Sequence, residues 1–157
     1  MINQSSKRQA LIAVLSALIP AAQTETHAVD EAAAKRLRIN QTDLRCLGII
    51  LDRGPISASK LAETVGLTRA AMTTALDRLE KAGFTWRIHD VRDRRSIKVE
   101  ATLKARDAAR EIWEPIRLDG LEFLEKYSIE DLELLNRFFE EYSALQRTHA
   151  QRIQKLT

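Results

Sequence analysis

The 157 residues include one cysteine, three prolines, five glycines and only eight aromatic side chains: two Trp, two Tyr and four Phe. The single cysteine, Cys46, excludes an internal disulfide framework and any multi-cysteine zinc site. The three histidines, His27, His89 and His149, lie far apart and show no metal-ligand spacing. No apolar run approaches the roughly 20 residues that a membrane span needs. The apolar stretch from Ala10 to Ala22 contains Ser16 and Pro20 and lacks a small-x-small cleavage pattern, so it is not read as a signal peptide. No Ser-His-Asp arrangement, phosphate-cradling glycine loop or pair of catalytic carboxylates stands out. The expectation is a cytoplasmic protein that is not an enzyme, with no catalytic residue, no metal, no cofactor and no membrane partner.

Charge of one sign is lacking as well. The 25 Lys+Arg face 22 Asp+Glu, a net charge of +3, which excludes a polybasic tail and an acidic solvating protein. What is present is an ordinary core-forming composition, 45% hydrophobic and 30% charged. Its length suits one domain, or a domain with a helical extension.

The few glycines and prolines punctuate a helical pattern. Residues 5 to 22 read as a helix, with a Ser6–Gln9 capping box and Leu11, Val14, Leu15 and Leu18 on one face. Pro20 is expected to kink or end it. Residues 23 to 30 are polar, and helix resumes over Glu31–Leu37. A second helix spans about Gln41 to Asp52, with Leu44, Leu47, Gly48 and Leu51 on one face, and stops at Gly54-Pro55. Ser57 caps a short helix to Val65, Gly66 turns the chain, and Thr68 caps another helix that closes at Gly83. In that helix Met72, Ala75, Leu76 and Leu79 form an apolar stripe. Arg69, Ala70, Thr73, Thr74 and Asp77 fall opposite.

The period then changes to two. Phe84, Trp86 and Ile88 alternate with Thr85, Arg87 and His89, and Ile97, Val99 and Ala101 alternate with Lys98 and Glu100. The spacing predicts a β-hairpin around the charged loop Asp90-Val91-Arg92-Asp93-Arg94-Arg95-Ser96. Thr102 caps a further helix whose apolar face is Ala105, Ala108, Ala109, Ile112, Trp113 and Ile116. Ser128 and Asp131 make a capping box for the last helix, where Leu132, Leu135, Phe138, Phe139, Tyr142 and Leu145 recur at helical spacing.

Resolved along the chain, the small net charge is a cancellation. Residues 68 to 98 carry eight basic and four acidic side chains, residues 99 to 157 nine and twelve, and residues 1 to 67 eight and six. The basic excess thus lies on the second short helix and the hairpin. Two short helices joined by a glycine turn and followed by a basic hairpin have the order of a winged helix-turn-helix. Such a helix enters the major groove, flanking cations neutralise phosphates, and an arginine on the hairpin reaches the minor groove.

The run PISASKLAETVGLTRAAMTTALDRLEKAGF, followed by DVRDRRSIKVEAT, resembles the MarR-type (multiple-antibiotic-resistance regulator) transcription factors. The matching pieces are Leu61-Ala62, Gly66-Leu67-Thr68, Asp77-Arg78-Leu79-Glu80, Gly83 and above all Asp93-Arg94-Arg95-Ser96. The resemblance implies a mainly α fold with a small β-hairpin wing. A winged helix-turn-helix over 38–102 would be flanked by an N-terminal dimerisation helix, 1–37, and C-terminal dimerisation helices, 103–157. It implies a ligand-responsive repressor that binds a pseudo-palindromic double-stranded operator as a homodimer.

By position, Thr68, Arg69, Ala70, Thr73 and Thr74 match the groove-facing part of the recognition helix. Arg94 matches the minor-groove arginine, and Asp93 and Arg95 the pair that shapes the wing. Arg92 and Lys98 are phosphate candidates. Arg78 is assigned to DNA as well, or to holding the wing or an acidic neighbour. Leu11, Leu15, Leu18, Leu132, Leu135, Phe138, Phe139 and Tyr142 are assigned to the dimer interface. The resemblance further implies a small aromatic or phenolic effector, with Trp113 a candidate pocket residue or a packing residue. Cys46 is read as a small buried hydrophobe rather than an oxidant sensor. The alternative is a winged-helix protein-interaction module without sequence-specific DNA binding, because Ala70 and Thr74 lack long polar arms.

Overall fold

The computed structural model describes residues 3–89 and 97–156. In chain order the elements are α1 (Gln4–Leu37), α2 (Gln41–Arg53), β1 (Ile56–Ser57), α3 (Ala58–Val65), α4 (Arg69–Lys81), β2 (Thr85–His89), β3 (Ile97–Ala101), α5 (Leu103–Leu124) and α6 (Ile129–Gln154). The mainly helical chain with a small antiparallel sheet agrees with the expected fold class. It divides into two compact units, residues 1–112 and residues 113–157.

Helix starts follow the polar caps. Asn40, Ser57, Thr68 and Ser128 each accept the backbone N–H three residues on, at the heads of α2, α3, α4 and α6. Thr102 does the same for α5, accepting from the Ala105 amide at 3.1 Å. The Ser128–Asp131 capping box is complete. Gly66 closes α3 in the left-handed conformation, φ 78°, where a side chain would be strained.

Helix α1 corrects three expectations. Its cap is Asn3 rather than Ser6, so no Ser6–Gln9 capping box forms. It neither ends nor pauses at Pro20 but continues through residues 23–30 to Leu37. Proline removes only one amide donor, and the following residues suit a helix. The hydroxyls of Thr24 and Thr26 donate to the carbonyls of Pro20 and Ala22, and alanines flank the polar segment on both sides, at Ala21, Ala22, Ala32, Ala33 and Ala34.

The unit 1–112 holds one core. Cys46 and Ile50 of α2, Leu61 of α3, Met72, Ala75, Leu76 and Leu79 of α4, Phe84, and Val99 and Ala101 of β3 are buried in it. The α4 stripe is the expected one. On α2 the expected stripe needs correction. Gly48 is exposed and Leu51 only half-buried, while Asp43, Leu44, Cys46, Leu47 and Ile50 are buried. Helix α2 packs against α1, α3, α4 and β3, so more than one of its faces is covered.

Strand β3 lies between β1 and β2 and pairs antiparallel with both. Two residues carry no periodicity, so the sequence pattern does not predict β1; Ile56 pairs with Val99 and is buried. In the hairpin Thr85 pairs with Ala101 and Arg87 with Val99. The covered face therefore carries Thr85, Val99 and Ala101. Trp86 and Ile88 lie on the other face, and Trp86 is 51% exposed. Alternation marks the strand, but its apolar side chains do not mark the covered face.

The unit 113–157 comprises the rest of α5 and α6. Helix α6 has no buried residue in the single chain. Phe138 stacks on Tyr142, with ring centroids 5.8 Å apart, and meets Phe139 edge-on at 5.4 Å. Leu132, Leu135 and Tyr142 are half-buried and Phe139 is exposed. In the other unit Leu11, Leu15 and Leu18 of α1 are exposed too. No helix among the described residues is long and apolar enough to cross a membrane.

Candidate nucleic-acid interface

Burial of the Met72–Leu79 stripe fixes which side of α4 faces outward. Thr68, Arg69, Ala70, Thr73, Thr74 and Asp77 are all exposed there. The Thr73 hydroxyl donates to the Arg69 carbonyl at 3.0 Å, and the Thr74 hydroxyl to the Ala70 carbonyl at 3.1 Å. Each oxygen keeps its acceptor capacity while its proton is held by the helix. Thr68 accepts from the Ala71 amide at 3.2 Å. The N-terminal end of α4 so combines a positive dipole end, a cationic Arg69 and a row of small polar groups.

The seat of α4 depends on a residue that the sequence reading leaves unassigned. Asp43 of α2 is 1% exposed and receives two hydrogen bonds from Arg78. Nε donates to Oδ2 at 2.8 Å and Nη2 to Oδ1 at 2.6 Å. The Asp43 amide donates in turn to the Asn40 side chain at 2.8 Å. This fork pins α4 to α2, and hydrogen bonding to Asp43 holds the Arg78 guanidinium above its ordinary pKa. Asp43 is thus the acidic neighbour considered for Arg78. A signal for Asp43 exists in the sequence. It begins the series Asp43, Cys46, Leu47, Ile50, spaced i, i+3, i+4, i+7, so a carboxylate opens an otherwise apolar stripe.

Arg87 braces the opposite side. It donates to Asp77 and Glu80, tying β2 to the exposed flank of α4, and hydrogen bonding to Asp77 raises its pKa. Lys104 donates to the Ala82 carbonyl at 2.6 Å and lies 4.9 Å from the Phe84 ring centroid, which ties the end of α4 to α5. Lys98 is half-buried on β3. Arg92, Asp93, Arg94 and Arg95 lie outside the described residues, and with them the expected wing contacts.

Cys46 is fully buried. Desolvation first, and the nearby Asp43 next, push its thiol pKa up, so it stays protonated and poorly nucleophilic. No group of three or more His, Cys, Asp or Glu among the described residues is placed to hold a metal ion.

A compact helical core, a three-stranded sheet against it and an outward polar helix braced on two sides define a winged helix-turn-helix of the DNA-binding class. Residues 39–97 match the model of the MarR family. The chain is 31% identical over 115 residues to the uncharacterized HTH-type transcriptional regulator YcgE of Bacillus subtilis (strain 168), covering 73% of this chain and 75% of that one. Among solved structures it is similar in fold to a MarR family protein from Bacillus stearothermophilus, with a TM-score of 0.69 at 18% identity, over 88% of this chain and 97% of that one. It is also similar to a mutant of S. aureus MepR bound to an oligodeoxyribonucleotide, with a TM-score of 0.59 at 16% identity, over 83% and 97%. A third such structure is NadR in complex with 4-hydroxyphenylacetate, with a TM-score of 0.60 at 22% identity, over 82% and 91%. The chain belongs to the MarR family, and it is a DNA-binding transcriptional regulator.

Proposed function

We propose that this protein is a cytoplasmic repressor that binds a pseudo-palindromic operator as a homodimer and releases it on binding a small aromatic or phenolic effector. The observation that carries the reading is the outward face of α4, where Thr68, Arg69, Ala70, Thr73 and Thr74 line up opposite a fully buried stripe. Arg69 and the hydroxyl acceptors of Thr73 and Thr74 would meet base edges and phosphates in the major groove. Arg94 would enter the minor groove, with Arg92 and Lys98 on phosphates and Asp93 and Arg95 shaping the wing. Arg78 would act through the seat of α4.

Exposed apolar side chains on α1 and α6 support the homodimer: Leu11, Leu15, Leu18, Phe138 and Phe139 all remain exposed in one chain. A relative in fold holding 4-hydroxyphenylacetate supports the effector class, and one holding an oligodeoxyribonucleotide supports the operator. Selection from a library of genomic DNA fragments tests the reading, and recovery of one palindromic motif is the expected result. Arg94→Ala and Arg69→Ala should each weaken binding to that motif while the protein stays folded and dimeric. A library that yields no common motif, or variants that bind as the parent does, would sink it.

A further inference from the structure

We propose that the groove between the α1–α2 junction and the last turn of α4 is a second seat for the DNA backbone, in which Arg38 and Lys81 neutralise phosphate. The proposal deepens the DNA-binding reading and rests on it. Arg38, Asn40, Asp43, Arg78 and Lys81 are among the residues that line this groove. Three cations there meet one carboxylate, and the Asp43–Arg78 fork takes that carboxylate up.

Among the described residues, Arg38 and Lys81 have no carboxylate within ion-pairing distance, whereas Arg36, Lys60, Arg87 and Arg117 each do. Both side chains belong to exposed residues. The groove is therefore positive by two unspent charges, and it shares α4 with the recognition face. A duplex laid along α4 carries a dense, regular row of phosphates past both.

The backbone at Arg38 points the same way. It is the described non-glycine residue with positive φ, 57°, and it closes α1 with its N–H on the Ala34 and Lys35 carbonyls. Glycine serves that turn with less strain, so the turn itself does not call for a long cation. Lys81 sits in the last turn of α4, where a cation also offsets the helix dipole. A dipole role alone would leave DNA affinity untouched, which separates the two explanations.

The test uses Arg38→Asn, which tolerates the left-handed backbone, Lys81→Gln, which suits a helix, and the two combined. Affinity for two mixed-sequence duplexes of unrelated sequence is measured over a salt series, beside the melting temperature. Because the dimer carries each residue twice, the double variant is expected to lower the slope of log affinity against log salt by about four, and each single variant by about two. Both duplexes should weaken by the same factor, on the order of tenfold or more near 0.1 M salt. Lys81→Arg should keep the parental slope, and melting temperatures should stay put. A parental slope in the double variant overturns the proposal alone, and so does a loss confined to one duplex. If the double variant melts early, Lys81→Gln carries the test, and an unchanged slope there overturns the proposal. A parent protein that binds neither duplex would overturn the DNA-binding reading and this proposal together.

Discussion

Helices α4 and α6 carry the same sequence pattern and end in different surroundings. Each repeats large apolar side chains three and four residues apart. Leu79 of α4 is 0% exposed, whereas Phe139 of α6 is 59% exposed. The difference lies in what each unit offers. Helix α4 packs on α2, α3 and β2. The unit of α6 contains only that helix and the last turns of α5. Apolar periodicity says that a face has to be covered, but it does not say which chain covers it. For α4 the answer lies within one unit. For α6, we infer, it lies in a second copy, and the comparison can be broken at either helix.

The largest effect is expected at α6. Phe138→Ala with Phe139→Ala removes two rings from the uncovered face, so the variant should sediment as a monomer where the parent sediments as a dimer. The parent's melting temperature should rise with protein concentration and the variant's should not, because association stabilises only what associates. A variant that stays dimeric would break the contrast. Leu79→Ala should do the reverse. It leaves a cavity in the winged core and should cost about 2–5 kcal/mol in a denaturant titration. Sedimentation of the folded variant should stay dimeric.

Much of this contrast is legible in the sequence. Caps at Ser57, Thr68, Thr102 and Ser128, the stripe on α4 and the hairpin strands follow from side-chain chemistry within a few residues, and the structure has them all. Readings that needed long-range information fared worse. Pro20 reads locally as a break, yet α1 passes through it because the neighbours sustain the helix. Trp86 reads only as one of the alternating apolar residues of β2, and it is the register with β3 that turns it outward, where its indole N–H donates to Glu100 at 3.2 Å. Ile56–Ser57 reads as loop because a two-residue strand exists only through its partner. At the interface, the outward residues of α4 could be assigned from spacing alone. The fork between Asp43 and Arg78 could not, because 35 positions separate them and no local rule links the two.

The same contrast between covered and uncovered groups applies to ion pairs, and it orders the two smaller effects. Arg78→Ala should lower the melting temperature clearly and weaken operator binding, because it strands a buried carboxylate and frees α4 from α2. Asp43→Asn keeps an oxygen acceptor for Arg78 and leaves no buried charge, so its effect should be the milder of the two. Arg36 pairs with Glu111 at 2.7 Å in a geometry that looks equally good, but both side chains are about two-thirds exposed, 66% and 65%. Water already solvates both charges and salt screens their attraction, so Arg36→Ala should change stability by no more than about 0.5 kcal/mol. Raising the salt concentration should shrink even that difference. A loss from Arg36→Ala as large as that from Arg78→Ala would mean that burial does not set the strength of these pairs, and that an exposed pair can hold α1 to α5.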